Sequence, residues 1–132
     1  NMIDTVAILL EQEDFEIKKP EKFNPSAKGL IQAPYYPYSS QGYIKCINNP
    51  TKDEVNMHGY LPKLTIFARQ ESGYVIQLKI EFSAPKIIIG NNFEELEDED
   101  FELLIYVLKE KLEIMGIATT ENNLKLAKVT AS

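Results

Sequence analysis

Residues 63–83 constrain the fold of this chain most strongly, because their pattern predicts a β-hairpin. Within Lys63–Gln70, the apolar residues Leu64, Ile66 and Ala68 alternate with residues that are mostly polar. A Glu-Ser-Gly sequence typical of a short turn follows, and the return segment Tyr74–Ser83 repeats the alternation. Since successive side chains of a strand point to opposite faces, one face of this hairpin is apolar and must pack against other elements.

Three further segments have the pattern of strands. Residues 2–10 place Val6, Ile8 and Leu10 on one face, Tyr43–Asn48 is a second candidate, and residues 124–130 predict a final strand. By contrast, residues 11–28 are polar and contain prolines, which predicts a loop or an irregular segment. The Asn-Asn-Pro-Thr-Lys-Asp sequence at 48–53 predicts a turn.

Residues 98–115 predict a long amphipathic helix. Acidic residues crowd its first turn, where they interact favourably with the helix dipole, and Gly116 is a suitable residue just beyond its C-terminus. Its apolar residues recur at the spacing of one helical stripe. That stripe comprises Phe101, Leu104, Ile105, Leu108, Leu112 and Met115.

The order of these segments predicts an α+β fold, with a mostly antiparallel sheet and one long amphipathic helix packed on one face. Residues 1–132 are expected to form a single domain. No apolar run approaches the ~20 residues that cross a bilayer, and no signal peptide is recognisable, so we expect a cytoplasmic protein without a membrane partner. The single cysteine, Cys46, is expected to be a small buried hydrophobe.

The net charge of −6 is unevenly distributed along the chain. Acidic and basic residues balance within residues 1–90, whereas residues 91–132 carry the whole excess of acid. An acidic total argues against strong DNA binding, because phosphate contacts need lysine and arginine. Only the first 90 residues could therefore present a basic face.

The sequence contains no recognisable set of catalytic or metal-binding residues. His58 is the single histidine, and a lone histidine before a glycine is expected to be an ordinary loop residue. The acidic run at 94–102 lacks the central glycine and the ligand spacing of a calcium loop, and fits a solvated helix start better. This chain is therefore not expected to be catalytic alone, and no cofactor is expected in it.

Basic residues on or beside the predicted strands are the candidates for nucleic-acid binding. A sheet face with several cations and interleaved tyrosines is a plausible surface for nucleic acid, although an ordinary solvated face fits the same pattern. Tyr35, Tyr36 and Tyr38 could stack on bases or could cover an edge of the core. The basic candidates are Lys45, Lys52, Lys63, Arg69, Lys79 and Lys86.

Four blocks of this chain resemble a known family of replication proteins. They are MIDTV at 2–6, YLPKLT at 60–65, the stretch from IEFSAPKIIIG into the acidic run at 80–96, and AKVT at 127–130. In these blocks the chain resembles the N-terminal part of the gene II/X-type replication proteins of filamentous phages and plasmids. Those proteins initiate rolling-circle replication by nicking DNA.

The resemblance implies a non-catalytic N-terminal domain of a longer initiator, which contributes to origin DNA binding or acts as a scaffold. Its partners would be DNA, single-stranded or as an origin hairpin, and the rest of the parent protein. The divalent metal and the nucleophilic tyrosine of the family have no match here, and would belong to a downstream nicking domain. The alternative is a protein–protein interaction or structural domain that binds no nucleic acid, which the acidic pI of about 4.8 favours.

Overall fold

The computed structural model describes residues 5–32, 43–70, 74–87 and 98–131 of the 132-residue chain. Its strands are β1 (Thr5–Glu11), β2 (Glu16–Ile17), β3 (Tyr43–Asn48), β4 (Lys63–Gln70), β5 (Tyr74–Ser83), β6 (Ile117–Ala118) and β7 (Lys128–Ala131). Five of them form one sheet in the order β3-β4-β5-β1-β7, and every neighbouring pair in it is antiparallel. β2 and β6 pair separately.

Within these described ranges, five α-helical segments connect and cover the strands. They are α1 (Lys28–Gln32), α2 (Lys52–His58), α3 (Ala84–Ile87), α4 (Asp98–Ile114) and α5 (Glu121–Leu126). Single turns of 3-10 helix occur at Gln12–Asp14 and Pro20–Lys22. Within the described residues, none of the helices is long and apolar enough to cross a membrane.

The predicted alternation places the core on one face of the main sheet. Leu64 and Ile66 on β4 lie opposite Ile80 and Leu78 on β5, and all four side chains are completely buried. They belong to one hydrophobic cluster with the buried residues of α4, such as Leu108. The predicted α+β fold, with a mostly antiparallel sheet and one long helix on one face, is therefore confirmed.

The apolar stripe of α4 is confirmed except at its first residue. Leu104, Ile105, Leu108 and Leu112 are buried, whereas Phe101 is 42% exposed. The buried stripe therefore starts at Leu104, one turn later than its spacing predicts. The helix also ends at Ile114, one residue before the predicted end.

The last two residues of the turn predicted at 48–53, Lys52 and Asp53, instead begin a helix that the sequence pattern did not predict. Thr51 begins α2 with a capping box: the backbone N–H of Glu54 donates to the Thr51 side chain, and the backbone N–H of Thr51 donates to Glu54 Oε1 at 2.9 Å. The bond from the Thr51 N–H contributes most to lowering the pKa of the Glu54 carboxyl. The bond from Lys22 Nζ to Glu54, at 3.1 Å, contributes less. The helix carries His58 as its last residue, so the prediction of a loop histidine was wrong.

The strand predicted at 124–130 begins only at Lys128. Residues 124–126 belong to α5, which starts where the Thr120 hydroxyl accepts a hydrogen bond from the backbone N–H of Asn123 at 3.0 Å. Leu124 is buried, whereas Leu126 is 78% exposed, so the alternating leucines mark a short helix rather than a strand.

The predicted irregular segment at 11–28 contains ordered structure that depends on distant residues. The backbone N–H groups of Lys18 and Lys19 both donate to the carbonyl of Gly116, at 2.7 and 3.1 Å. Gly116 has a φ of +96°, as expected for a glycine just beyond a helix, and β6 follows it to pair with β2. The segment was not predicted because its hydrogen-bond partners lie about a hundred residues further along the chain.

One buried polar contact fastens the end of β3 to the end of α4. Asn48 is 4% exposed, and its side-chain amide donates to the carbonyl of Met115 at 3.0 Å. This bond satisfies a carbonyl that the last turn of α4 leaves without a helical partner. The buried residues of α4 pack on the face of the sheet that carries Leu64 and Ile80, so α4 does not cover the opposite face.

Candidate nucleic-acid interface

The face of the main sheet opposite α4 carries three of the six predicted binding residues, Lys45, Lys63 and Lys79. We call it the outer face and define it by the register of the strands, since directly paired residues point to the same side. One row across the sheet contains Lys45, Phe67, Gln77 and Glu11; the next contains Ile47, Thr65, Lys79, Leu9 and Lys128; the third contains Lys63, Glu81, Ala7 and Thr130.

Lysines outnumber carboxylates on the described outer face. Lys45, Lys63 and Lys128 are exposed, and the side chain of Lys79 is 34% exposed. Lys79 forms an ion pair with Glu81, in which Lys79 Nζ lies 3.7 Å from Glu81 Oε2. A chain with a net charge of −6 thus concentrates positive charge on one side of its sheet.

The carboxylates of this face are already engaged by their neighbours. Besides Glu81, Glu11 accepts a hydrogen bond from the side-chain amide of Gln77 at 2.9 Å. A surface ion pair such as Lys79–Glu81 contributes only about 0–1 kcal/mol, so it holds its lysine weakly. An incoming phosphate could therefore compete for Lys79 at little energetic loss.

Apolar side chains separate the lysines of the outer face. Phe67, Ile47 and Leu9 are partly buried, and Lys45 Nζ lies 5.8 Å from the centroid of the Phe67 ring. This is a cation–π arrangement, and such contacts contribute about 0.5–1 kcal/mol at exposed sites. The face combines cations with an aromatic ring, as surfaces that bind nucleic acid do.

The structure brings together only some of the predicted binding residues. Lys45, Lys63 and Lys79 share the outer face, and Arg69 lies on β4 opposite Val75, but its side chain is outside the described part of the chain. Lys52 and Lys86 are exposed on α2 and α3. These two lysines are therefore outside the strand rows that define the outer face.

Several other predictions fall on residues that the structure does not describe. They concern the hairpin turn at 71–73, the tyrosines at 35–38 and the part of the acidic run at 94–97. Within the described ranges, no group of three or more histidine, cysteine, aspartate or glutamate residues could hold a metal ion. Cys46 faces the core, as predicted, and its burial raises the pKa of the thiol.

Phe67 and Lys128, the aromatic residue and the fourth lysine of the outer face, were not among the predicted binding residues. Phe67 alternates with the apolar positions of β4, so the sequence already placed it on the polar side of the hairpin. Lys128 pairs with Leu9 across β1 and β7. Its place on the outer face could not be predicted, because β7 begins only at Lys128 and the predicted strand began at residue 124. Strand register, rather than charge alone, would identify both residues as part of the outer face.

No protein-family model matches this chain, and neither a curated protein nor a solved structure matches it.

Proposed function

We propose that this chain is a nucleic-acid-binding domain that contributes to origin DNA recognition in a rolling-circle replication initiator. The observation that carries the proposal is the grouping of Lys45, Lys63, Lys79 and Lys128 on the outer face of an otherwise acidic chain. Nicking, with its divalent metal and tyrosine, would be done by another part of the parent protein. In this role the domain holds or positions DNA.

The electrostatics support binding to a phosphate backbone. Each lysine that contacts a phosphate releases condensed counterions, which gives affinity that falls as salt rises. The acidic side chains of α4, such as Glu102, Glu110 and Glu113, lie on the helix layer on the other side of the sheet. Such a distribution would orient DNA towards the outer face and repel it from the helix layer.

Charge-matched variants test whether the outer face is the binding surface. One triple variant replaces lysine with glutamine on the sheet, and a control variant removes three exposed lysines from helices. Binding of a fluorescent oligonucleotide is followed by anisotropy between about 50 and 200 mM salt. The sheet variant changes Lys45, Lys63 and Lys79, and the control changes Lys28, Lys52 and Lys86.

We expect the sheet variant to bind DNA more weakly. The slope of log K against log salt concentration should become shallower by about one for each phosphate-bound lysine that is removed. The control variant has the same net charge and should retain most of the affinity. Equal losses in both variants would mean that DNA responds only to total charge. If the wild-type chain binds no oligonucleotide at about 50 mM salt, the proposed function is wrong.

A second candidate function is a protein–protein interaction domain without nucleic-acid binding. Large apolar side chains are exposed outside the outer face, with Met57 at 79% and Leu126 at 78%. Met57 also lines a groove of about 350 Å³ beside Lys22, Glu54 and Ile114. Exposed apolar residues of this kind are common at interaction sites. The oligonucleotide titration separates this function from the first.

A further inference from the structure

We infer that Phe67 is a base-stacking residue and that the outer face therefore binds unpaired nucleic acid in preference to duplex. This inference rests on the proposed function and specifies the ligand of the same surface. It depends on three observations: the place of Phe67 in the sheet, the chemistry of its direct neighbours, and the width of the sheet.

Phe67 lies on an interior strand of the sheet, between two polar neighbours. Lys45 on β3 and Gln77 on β5 are its direct partners across the sheet. The ammonium of Lys45 lies 5.8 Å from the ring centroid, so the ring is turned towards the layer in which the charged side chains lie. The ring is partly buried, which fixes its position while leaving part of its surface accessible.

The neighbours of Phe67 fit the two parts of a nucleotide. A base that stacks on the ring replaces the ammonium of Lys45 over the aromatic surface, and that ammonium then lies free to contact the adjoining phosphate. Lys79 and Lys63 lie on the next rows of the same face, where they can contact neighbouring phosphates. Gln77 offers an amide for hydrogen bonds to a base edge, because such amides both donate and accept.

The width of the sheet disfavours reading of a duplex by this face. Adjacent strands lie about 4.8 Å apart, so five strands span roughly 19 Å, whereas the major groove of B-DNA is about 12 Å wide. The face can therefore reach a duplex only at its phosphates, where an aromatic ring gains nothing. An unpaired base can stack on the accessible part of the Phe67 ring, as on other stacking surfaces for single strands.

The test compares an oligothymidylate of about 20 nucleotides with a duplex of the same length, since single-strand sites of one domain span about 4–16 nucleotides. Affinities are measured at one low salt concentration for the wild-type chain and for three variants. Phe67→Leu keeps an apolar side chain but removes the ring, and Phe67→Tyr keeps the ring. Lys45→Gln serves as the electrostatic control. Circular dichroism and the urea midpoint verify that each variant is folded.

We expect the wild-type chain to bind the single strand more tightly. Phe67→Leu should weaken single-strand binding by about 5-fold to 150-fold, the range for loss of one stacked base, with little change for the duplex. Phe67→Tyr should keep the single-strand affinity of the wild-type chain, and Lys45→Gln should weaken the binding of both ligands. If both ligands bind but Phe67→Leu leaves their ratio unchanged, the stacking role is wrong and the proposed function survives. If neither the single strand nor the duplex binds to the wild-type chain, both the stacking role and the proposed function are wrong.

Discussion

Replacement of Gly116 by alanine should destabilise the fold more than the same change at Gly59. Both glycines follow a helix and have a positive φ, +96° at Gly116 and +79° at Gly59. A Cβ built on Gly116 would lie 2.5 Å from Lys19 Cβ and 3.1 Å from the backbone nitrogen of Lys19. At Gly59 the nearest atom would be Lys111 Nζ, at 3.5 Å, which is an ordinary contact.

The two substitutions therefore share a backbone penalty, and only one has a steric penalty. An L-residue forced into an unfavourable positive-φ conformation costs about 1–3 kcal/mol, which is the whole effect expected for Gly59→Ala. Gly116→Ala adds overpacking against the backbone of Lys19, and overpacking typically costs about 1–3 kcal/mol. The total expected for Gly116→Ala is about 2–6 kcal/mol. The clash also moves the carbonyl that accepts from Lys18 and Lys19.

Urea unfolding followed by circular dichroism measures both free energies of unfolding, and their difference isolates the contact with Lys19. The close approach is refuted if the two variants agree to within about 0.5 kcal/mol, which is the usual limit of additivity. A loss below about 0.5 kcal/mol in both variants would refute the positive φ itself, because surface substitutions without such strain fall in that range.

Two further predictions concern packing and pH. Leu104→Ala should lower the free energy of unfolding by about 2–5 kcal/mol, because it removes a core side chain. Phe101→Ala should lower it less, because Phe101 is already 42% exposed. Equal losses of free energy in urea unfolding would contradict the one-turn offset of the apolar stripe. Because hydrogen bonds from Thr51 and Lys22 lower the folded pKa of Glu54, its charge stabilises the fold above the unfolded pKa of about 4.3 and loses that effect as pH falls through the folded value. Glu54→Gln should thus cost up to about 1 kcal/mol near pH 7, and this cost should disappear as the pH falls through the folded pKa of Glu54; a difference independent of pH would contradict this linkage.

The elements that could be predicted from sequence are those whose pattern repeats over many residues. β3, β4 and β5 have the predicted bounds, because each buries one face and the alternation continues along the whole strand. α4 was predicted to within one residue at its C-terminus for the same reason, since its stripe covers several turns. In both cases burial on one side enforces a periodicity that is visible without the structure.

The short elements were missed because caps and distant partners determine them. α2 and α5 each have fewer than eight residues, which is too few to show a helical period, and both begin at a threonine whose hydroxyl accepts a backbone hydrogen bond. A threonine followed three residues later by glutamate marks α2 in the sequence, but the preceding Asn-Pro pair favoured a turn. β2 exists only because β6 pairs with it.

The candidate interface shows that total charge does not reveal how charge is distributed over the surface of a fold. Strand alternation could place Lys63 and Lys79 on the polar side of the hairpin, but not Lys128, whose row depends on the pairing of β1 with β7. Phosphate responds to charge within a Debye length of about 8–10 Å, so lysines on one sheet face act together, whereas acids on the opposite helix layer are largely screened. The net charge of −6 is therefore compatible with the proposed DNA binding, whose affinity should come from this one face.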